Sequence, residues 1–187
     1  RSCCMVLLCL LAVAGGWLWF SRPVTASQQL RGYAVSGVQV IDVVMPSGGP
    51  TQLHGIATED SEEIQELLGL LDQYPTNRKW DWSWMLGEGF GDYNGKDPYS
   101  SVWVVLSFQD ADGKAGSLQY IVSETGRVQV FEPNRFGDVP AGVGRFGAEG
   151  AKQYFAALHR FYEQKVDSPL WVPSTPTEEE KRTGIDT

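Results

Sequence analysis

The spacing of apolar and polar residues changes several times along this chain, and each change predicts an element. From Cys3 to Phe20 the run CCMVLLCLLAVAGGWLWF holds eighteen residues without a charge. At 1.5 Å per residue that is about the shortest helix able to cross a hydrocarbon core of roughly 30 Å. Trp17, Trp19 and Phe20 close the run, and such rings favour the headgroup layer of a membrane. Residues 1–22 are therefore expected to be a transmembrane anchor or a signal segment, and residues 23–36, of mixed polar composition, a stalk. GVQVIDVVM, Gly37 to Met45, is β-branched and apolar, PSGGP breaks it, and TQLHGIA follows, which predicts a hairpin. The period then becomes helical: Ile64, Leu67, Leu68 and Leu71 recur on one face, Asp60 stands as N-cap with Glu63 as its capping-box partner, and Pro75 ends the helix.

Three further strands are expected in SSVWVVLSF, LQYIV and VQVFEP, separated by the turns QDADGKAGS and SETGR, as an antiparallel meander. GAEGAKQYFAALHRFYEQ places Phe155, Leu158, Phe161 and Tyr162 on one face of a second helix. The remainder, 167–187, is proline-rich and acidic, and its last dozen residues are expected to be disordered. The order strand, strand, helix, three strands, helix predicts an α+β body over residues 37–166, its helices packed on an antiparallel sheet.

Charge narrows the partners. From Ser27 onward 13 Lys and Arg face 23 Asp and Glu, a net charge of −10. Such a body repels nucleic-acid phosphates and gains nothing at an anionic lipid surface, so neither partner is expected. All three cysteines, Cys3, Cys4 and Cys9, lie in the apolar run, so no thiol catalysis, disulfide or cysteine metal site is available to the body. If the leader is a signal peptide, the small residues around Val24 to Ala26 offer a cleavage site after Ala26. The length and aromatic end of the run favour a retained anchor. Either way the body is expected outside the cytoplasm.

RKWDWSWMLGEGFGDYNG, Arg78 to Gly95, carries Trp80, Trp82 and Trp84 at every second position, with Tyr93 close behind. On a strand these indoles share one side. They form either a ledge for sugar rings or peptide aromatics, or a piece of core. Burying each is worth roughly 4–6 kcal/mol as an upper bound, which favours core for most of the set. The glycines beyond Trp84 make it the indole expected to stay exposed, so Trp84, Trp82 and Tyr93 are the candidate ligand-binding residues. His54 and His159 have no sequence-local partner, and DADG, Asp110 to Gly113, is a hairpin turn and not a calcium loop. No metal or other cofactor is expected. Glu124, Glu132 and Asp138 could be nominated as carboxylates of a wall hydrolase, but nothing fixes a pair at the separation glycoside chemistry needs. There is no GxSxG, HExxH or phosphate loop.

The helix opening ATEDSEEIQELLGLL and the meander LQYIVSETGRVQVFEP with a Gly-containing loop beyond it resemble a family of small exported or membrane-anchored proteins of Gram-positive bacteria whose function is unassigned. The likeness covers about Val35 to Gln164, with a longer tryptophan-rich connection between Pro75 and Pro98 than is usual there. It implies a fold and an envelope location, and no catalytic residue. The function expected is a non-catalytic, membrane-tethered extracytoplasmic domain that binds an envelope protein or cell-wall glycan. The alternatives are a hydrolase using Glu132 or Asp138 as general acid, and an inhibitor-like partner with an acidic face.

Overall fold

The computed structural model describes residues 2–44, 51–79, 99–132, 139–144 and 149–174. Among these residues four helices, α1 (Ser2–Phe20), α2 (Ala26–Gln29), α3 (Ser61–Asp72) and α4 (Glu149–Lys165), accompany one sheet. Its strands are β1 (Ala34–Val44), β2 (Gln52–Thr58), β3 (Thr76–Arg78), β4 (Ser101–Gln109), β5 (Ala115–Ser123), β6 (Val128–Phe131), β7 (Val139–Val143) and β8 (Val172–Ser174). They lie in the order β3-β7-β6-β5-β4-β1-β2-β8, every described pair antiparallel. The expected α+β architecture is present.

Alternation builds the sheet's two faces. Val38 and Val40 of β1, Val102, Val104 and Leu106 of β4, and Leu118, Tyr120 and Val122 of β5 point to the helices, where Leu67 and Leu71 of α3 and Tyr154 and Leu158 of α4 complete the main core. The opposite face is apolar too: Ile41, Val43, Trp103 and Ile121 form a second cluster, each at most 7% exposed. That is why the strand sequences read as continuous apolar runs and not as alternating ones. Trp103 is thus a core residue, its Nε1 donating to Ser101 Oγ at 3.0 Å.

Several expectations change. The stalk does not exist as such. Thr25 caps α2 in a closed capping box with Gln28, Ala26 and Leu30 are 2% and 5% exposed in the main core, and β1 starts at Ala34. The Asp60 cap is present, accepting from the Glu62 and Glu63 amides, but its box stays open: Asp60 N–H donates to Thr58 Oγ1, and the Glu63 carboxylate turns inward to Lys165 and Trp171. The buried face of α4 is centred on Tyr154, Leu158 and Phe161, with Phe155 half-buried at its margin. The meander has a fourth strand, β7, and β3 joins its edge. Trp171, 3% exposed against Phe161, and β8 on the β2 edge carry the body to Ser174, eight residues beyond its expected end.

Among the described residues no helix is long and apolar enough to cross a membrane. What α1 does present is apolar surface on every side, from Val13 at 71% exposed to Leu18 at 41%.

Candidate functional site: a pocket where the leading helix meets the sheet

The chain passes from α1 to the body in a few residues. Ser21 N–H still bonds the Trp17 carbonyl, and Val24 already exchanges two backbone hydrogen bonds with Thr76 of β3, at 2.8 and 3.0 Å. The last turn of α1 is thereby held against the sheet edge, and α2 is tied down in turn: Ser27 N–H and Oγ–H donate to the Asp72 carboxylate at the end of α3. A cavity of about 280 Å³ opens at this junction. Trp19 and Phe20 form one wall, Arg78 and Glu132 another, and Gln29 and Tyr33 its inner side.

Charge in the pocket is arranged and not incidental. Arg78 holds Glu132 side-on, Nε to Oε1 at 2.9 Å and Nη2 to Oε2, while its guanidinium lies 5.5 Å from the Phe20 ring centroid. Such a fork-to-fork pair is among the stronger polar contacts available to a protein. Arg22 stacks on Trp19 at 4.8 Å and pairs with no carboxylate among the described residues. On the inner side, Tyr120 donates to Gln29 Oε1 at 2.8 Å. Burial, with the charges of Asp72 and Glu132 adding to it, pushes that phenol far up, so it stays a donor at any working pH. A second cavity of about 250 Å³ shares Tyr33 and Glu132 and leads on past Phe108 to Lys114.

One further polar group stands out in the main core. Asp42 interrupts the apolar β1 and faces the helices at 7% exposure, with Oδ1 buried and without a hydrogen bond. Its cross-strand partner is His54, and His159 Nε2 of α4 stands 3.7 Å from Oδ1, with Glu163 beside that imidazole. Desolvation raises the Asp42 pKa, the fields of His159 and His54 lower it part of the way, and Glu163 adds to the rise. The two histidines of the chain thus meet at one carboxylate. Sequence reasoning missed this, although an Asp inside GVQVIDVVM was a visible signal. Among the described residues no cluster of three or more metal-ligating side chains occurs.

The residues singled out in the sequence fare unevenly. Trp80, Trp82, Trp84, Tyr93 and Asp138 lie outside the described residues. Glu124 sits in the β5–β6 turn, bonding Ser100 N–H, and Glu132 lies past the other end of β6, so the length of the strand, roughly 13 Å, separates them. Both oxygens of Glu132 are engaged by Arg78. Asp110 makes the hairpin turn, its Oδ1 accepting from Asp112 and Lys114 amides while Gly113 takes φ 77°. No family model, no curated protein and no solved structure matches the chain.

Proposed function

We propose that this protein is a non-catalytic binding or accessory domain tethered to a membrane by α1, with its body on the extracytoplasmic side and an envelope protein or cell-wall glycan as its ligand. One observation carries the reading: α1 is apolar around its whole girth and leaves Met5, Leu8 and Val13 each more than 60% exposed, a surface that water disfavours and hydrocarbon accepts. Two more support it. Trp17 and Trp19 end the helix where it meets the body, as interfacial rings do, and Val24 to Ala26 are built into the fold through the Thr76 bridge, the Thr25 cap and the buried Ala26 methyl. A cut after Ala26 would remove those contacts, which favours a retained anchor over a secreted product. The likeness to small anchored proteins of Gram-positive bacteria agrees with this placement.

The test is topology in intact cells. A protease added outside cells that express the full chain with a C-terminal epitope is expected to destroy the epitope. An epitope that survives until the cells are lysed overturns the extracytoplasmic assignment.

A further inference from the structure

We infer that the junction pocket is a receptor for the phosphate group of an anionic phospholipid headgroup, with Arg78 and Arg22 as its two donors. The inference rests on the reading of α1 as a membrane tether, and adds a ligand to it. Position is the first argument. Trp19 and Phe20, the last turn of α1, are walls of the cavity itself, and Val24 is already bonded to β3. If α1 sits in hydrocarbon, the pocket lies at headgroup depth without any linker between.

Charge is the second argument. The body as a whole is acidic, yet among the described residues this cavity gathers two guanidiniums against one carboxylate. Arg22 has an aromatic stack and, among the described residues, no carboxylate. Arg78 gives Nε and Nη2 to Glu132, and among the described residues no group bonds its Nη1. A planar guanidinium locked on one edge by a carboxylate and on its face by Phe20 is pre-organised to offer the other edge to a tetrahedral oxyanion. Glu132 here sets the orientation and tempers the affinity. The volume of about 280 Å³ suits a small polar moiety and not an oligosaccharide.

The experiment uses the full chain in a non-ionic detergent free of phosphate, titrated calorimetrically with a soluble short-chain phosphatidylglycerol, with the matching phosphatidylcholine, and with inorganic phosphate. Saturable binding of phosphatidylglycerol in preference to phosphatidylcholine is expected. Arg78→Gln is expected to weaken it by about tenfold or more, and Arg22→Gln, at an exposed residue without an ion pair, to weaken it at intact near-ultraviolet circular dichroism. Glu132→Gln separates a ligand role from a structural one: loss of the Arg78–Glu132 pair as scaffold would harm binding in both variants, whereas a phosphate receptor gains several-fold when the carboxylate is neutralised. Equal binding of inorganic phosphate and phosphatidylglycerol overturns the lipid assignment. No preference among the three ligands, or an unchanged affinity in Arg78→Gln, overturns the pocket. In parallel, flotation with vesicles of pure phosphatidylcholine reads the tether alone, so a chain that floats yet shows no headgroup preference fails the pocket and keeps the anchor, and the converse pattern keeps the pocket and fails the anchor.

Discussion

Replacing Glu63 by Gln isolates the polar contact that joins three parts of the body. Glu63 lies in the first turn of α3 at 8% exposure. Its Oε2 accepts from Lys165 Nζ at 2.6 Å, at the end of α4, and from the Trp171 indole Nε1 at 2.8 Å, in the turn that leads to β8. Gln keeps the volume and an oxygen for the indole, and removes the charge. Lys165, with a side chain 13% exposed, is then left with Glu66 at 2.7 Å, which is 55% exposed and so worth at most about 1 kcal/mol. Breaking one side of a buried pair costs about 3–5 kcal/mol, and with Glu66 retaining part of the partnership the loss is set at about 2–3 kcal/mol. Adding Lys165→Met should recover much of it, since no buried unpaired charge remains and Glu66 is exposed to water.

The pH dependence follows from the same contact. The Lys165 hydrogen bond, ahead of the opposing cost of burial and with help from the Trp171 hydrogen bond, holds the Glu63 carboxyl below its ordinary value of 4.5. A depressed folded pKa gives stability that is complete above 4.5 and lost as the pH falls through the lowered value. Urea unfolding of the full chain in non-ionic detergent, followed by near-ultraviolet circular dichroism, should show the gap between wild type and Glu63→Gln widest at neutral pH and closing on acidification below 4.5. A variant within about 0.5 kcal/mol of wild type at neutral pH, or a gap that does not narrow in acid, refutes the reasoning.

Asp42→Asn should act with the opposite sign: burial raises the Asp42 pKa, so its contribution to stability falls as the pH climbs from 3.8 through the raised value, and removing the ionised form should stabilise the protein at neutral pH by about 1 kcal/mol, with no gain below 3.8. A less stable Asn variant at neutral pH, in the same urea assay, contradicts this. Gly55→Ala puts a Cβ 2.5 Å from the Ser174 carbonyl oxygen, so β8 should leave the β2 edge, read as faster amide exchange at Val172 and Ser174 with the rest of the sheet unchanged. Unchanged exchange there rules it out. Leu10→Arg, at a position 61% exposed on α1, should cost about 2.5–3.5 kcal/mol of membrane insertion and lower the fraction that sediments with membranes; an unaltered fraction counts against the tether.

The elements with strong periodicity were legible from the sequence because burial imposes the period. Ile64, Leu67, Leu68 and Leu71 face the core as read, and β1, β2, β4, β5 and β6 fall within a few residues of their apolar runs. The short strands were not legible. VPAGV has Pro140 and Gly142 inside a strand flanked on both sides, where a missing N–H and a missing side chain argue against pairing, and β3 and β8 are three residues each, held by their neighbours and not by propensity. Glu63 reads locally as a capping-box residue, yet Lys165, 102 positions away in sequence, outbids the local amide, because a charge-assisted bond in a buried setting is the stronger one. The junction pocket depends on Phe20, Arg78 and Glu132 meeting across the fold, and the Asp42 site on His54 and His159 converging from β2 and α4; no spacing rule reaches contacts of that range.

Alkaline carbonate extraction of membranes from cells expressing the full chain tests the central claim most directly, since it releases proteins held by polar contacts and leaves those whose helices sit in hydrocarbon. With α1 in the bilayer and the junction pocket against its surface, the chain should remain in the membrane pellet. Release of the intact chain into the supernatant would contradict the tether.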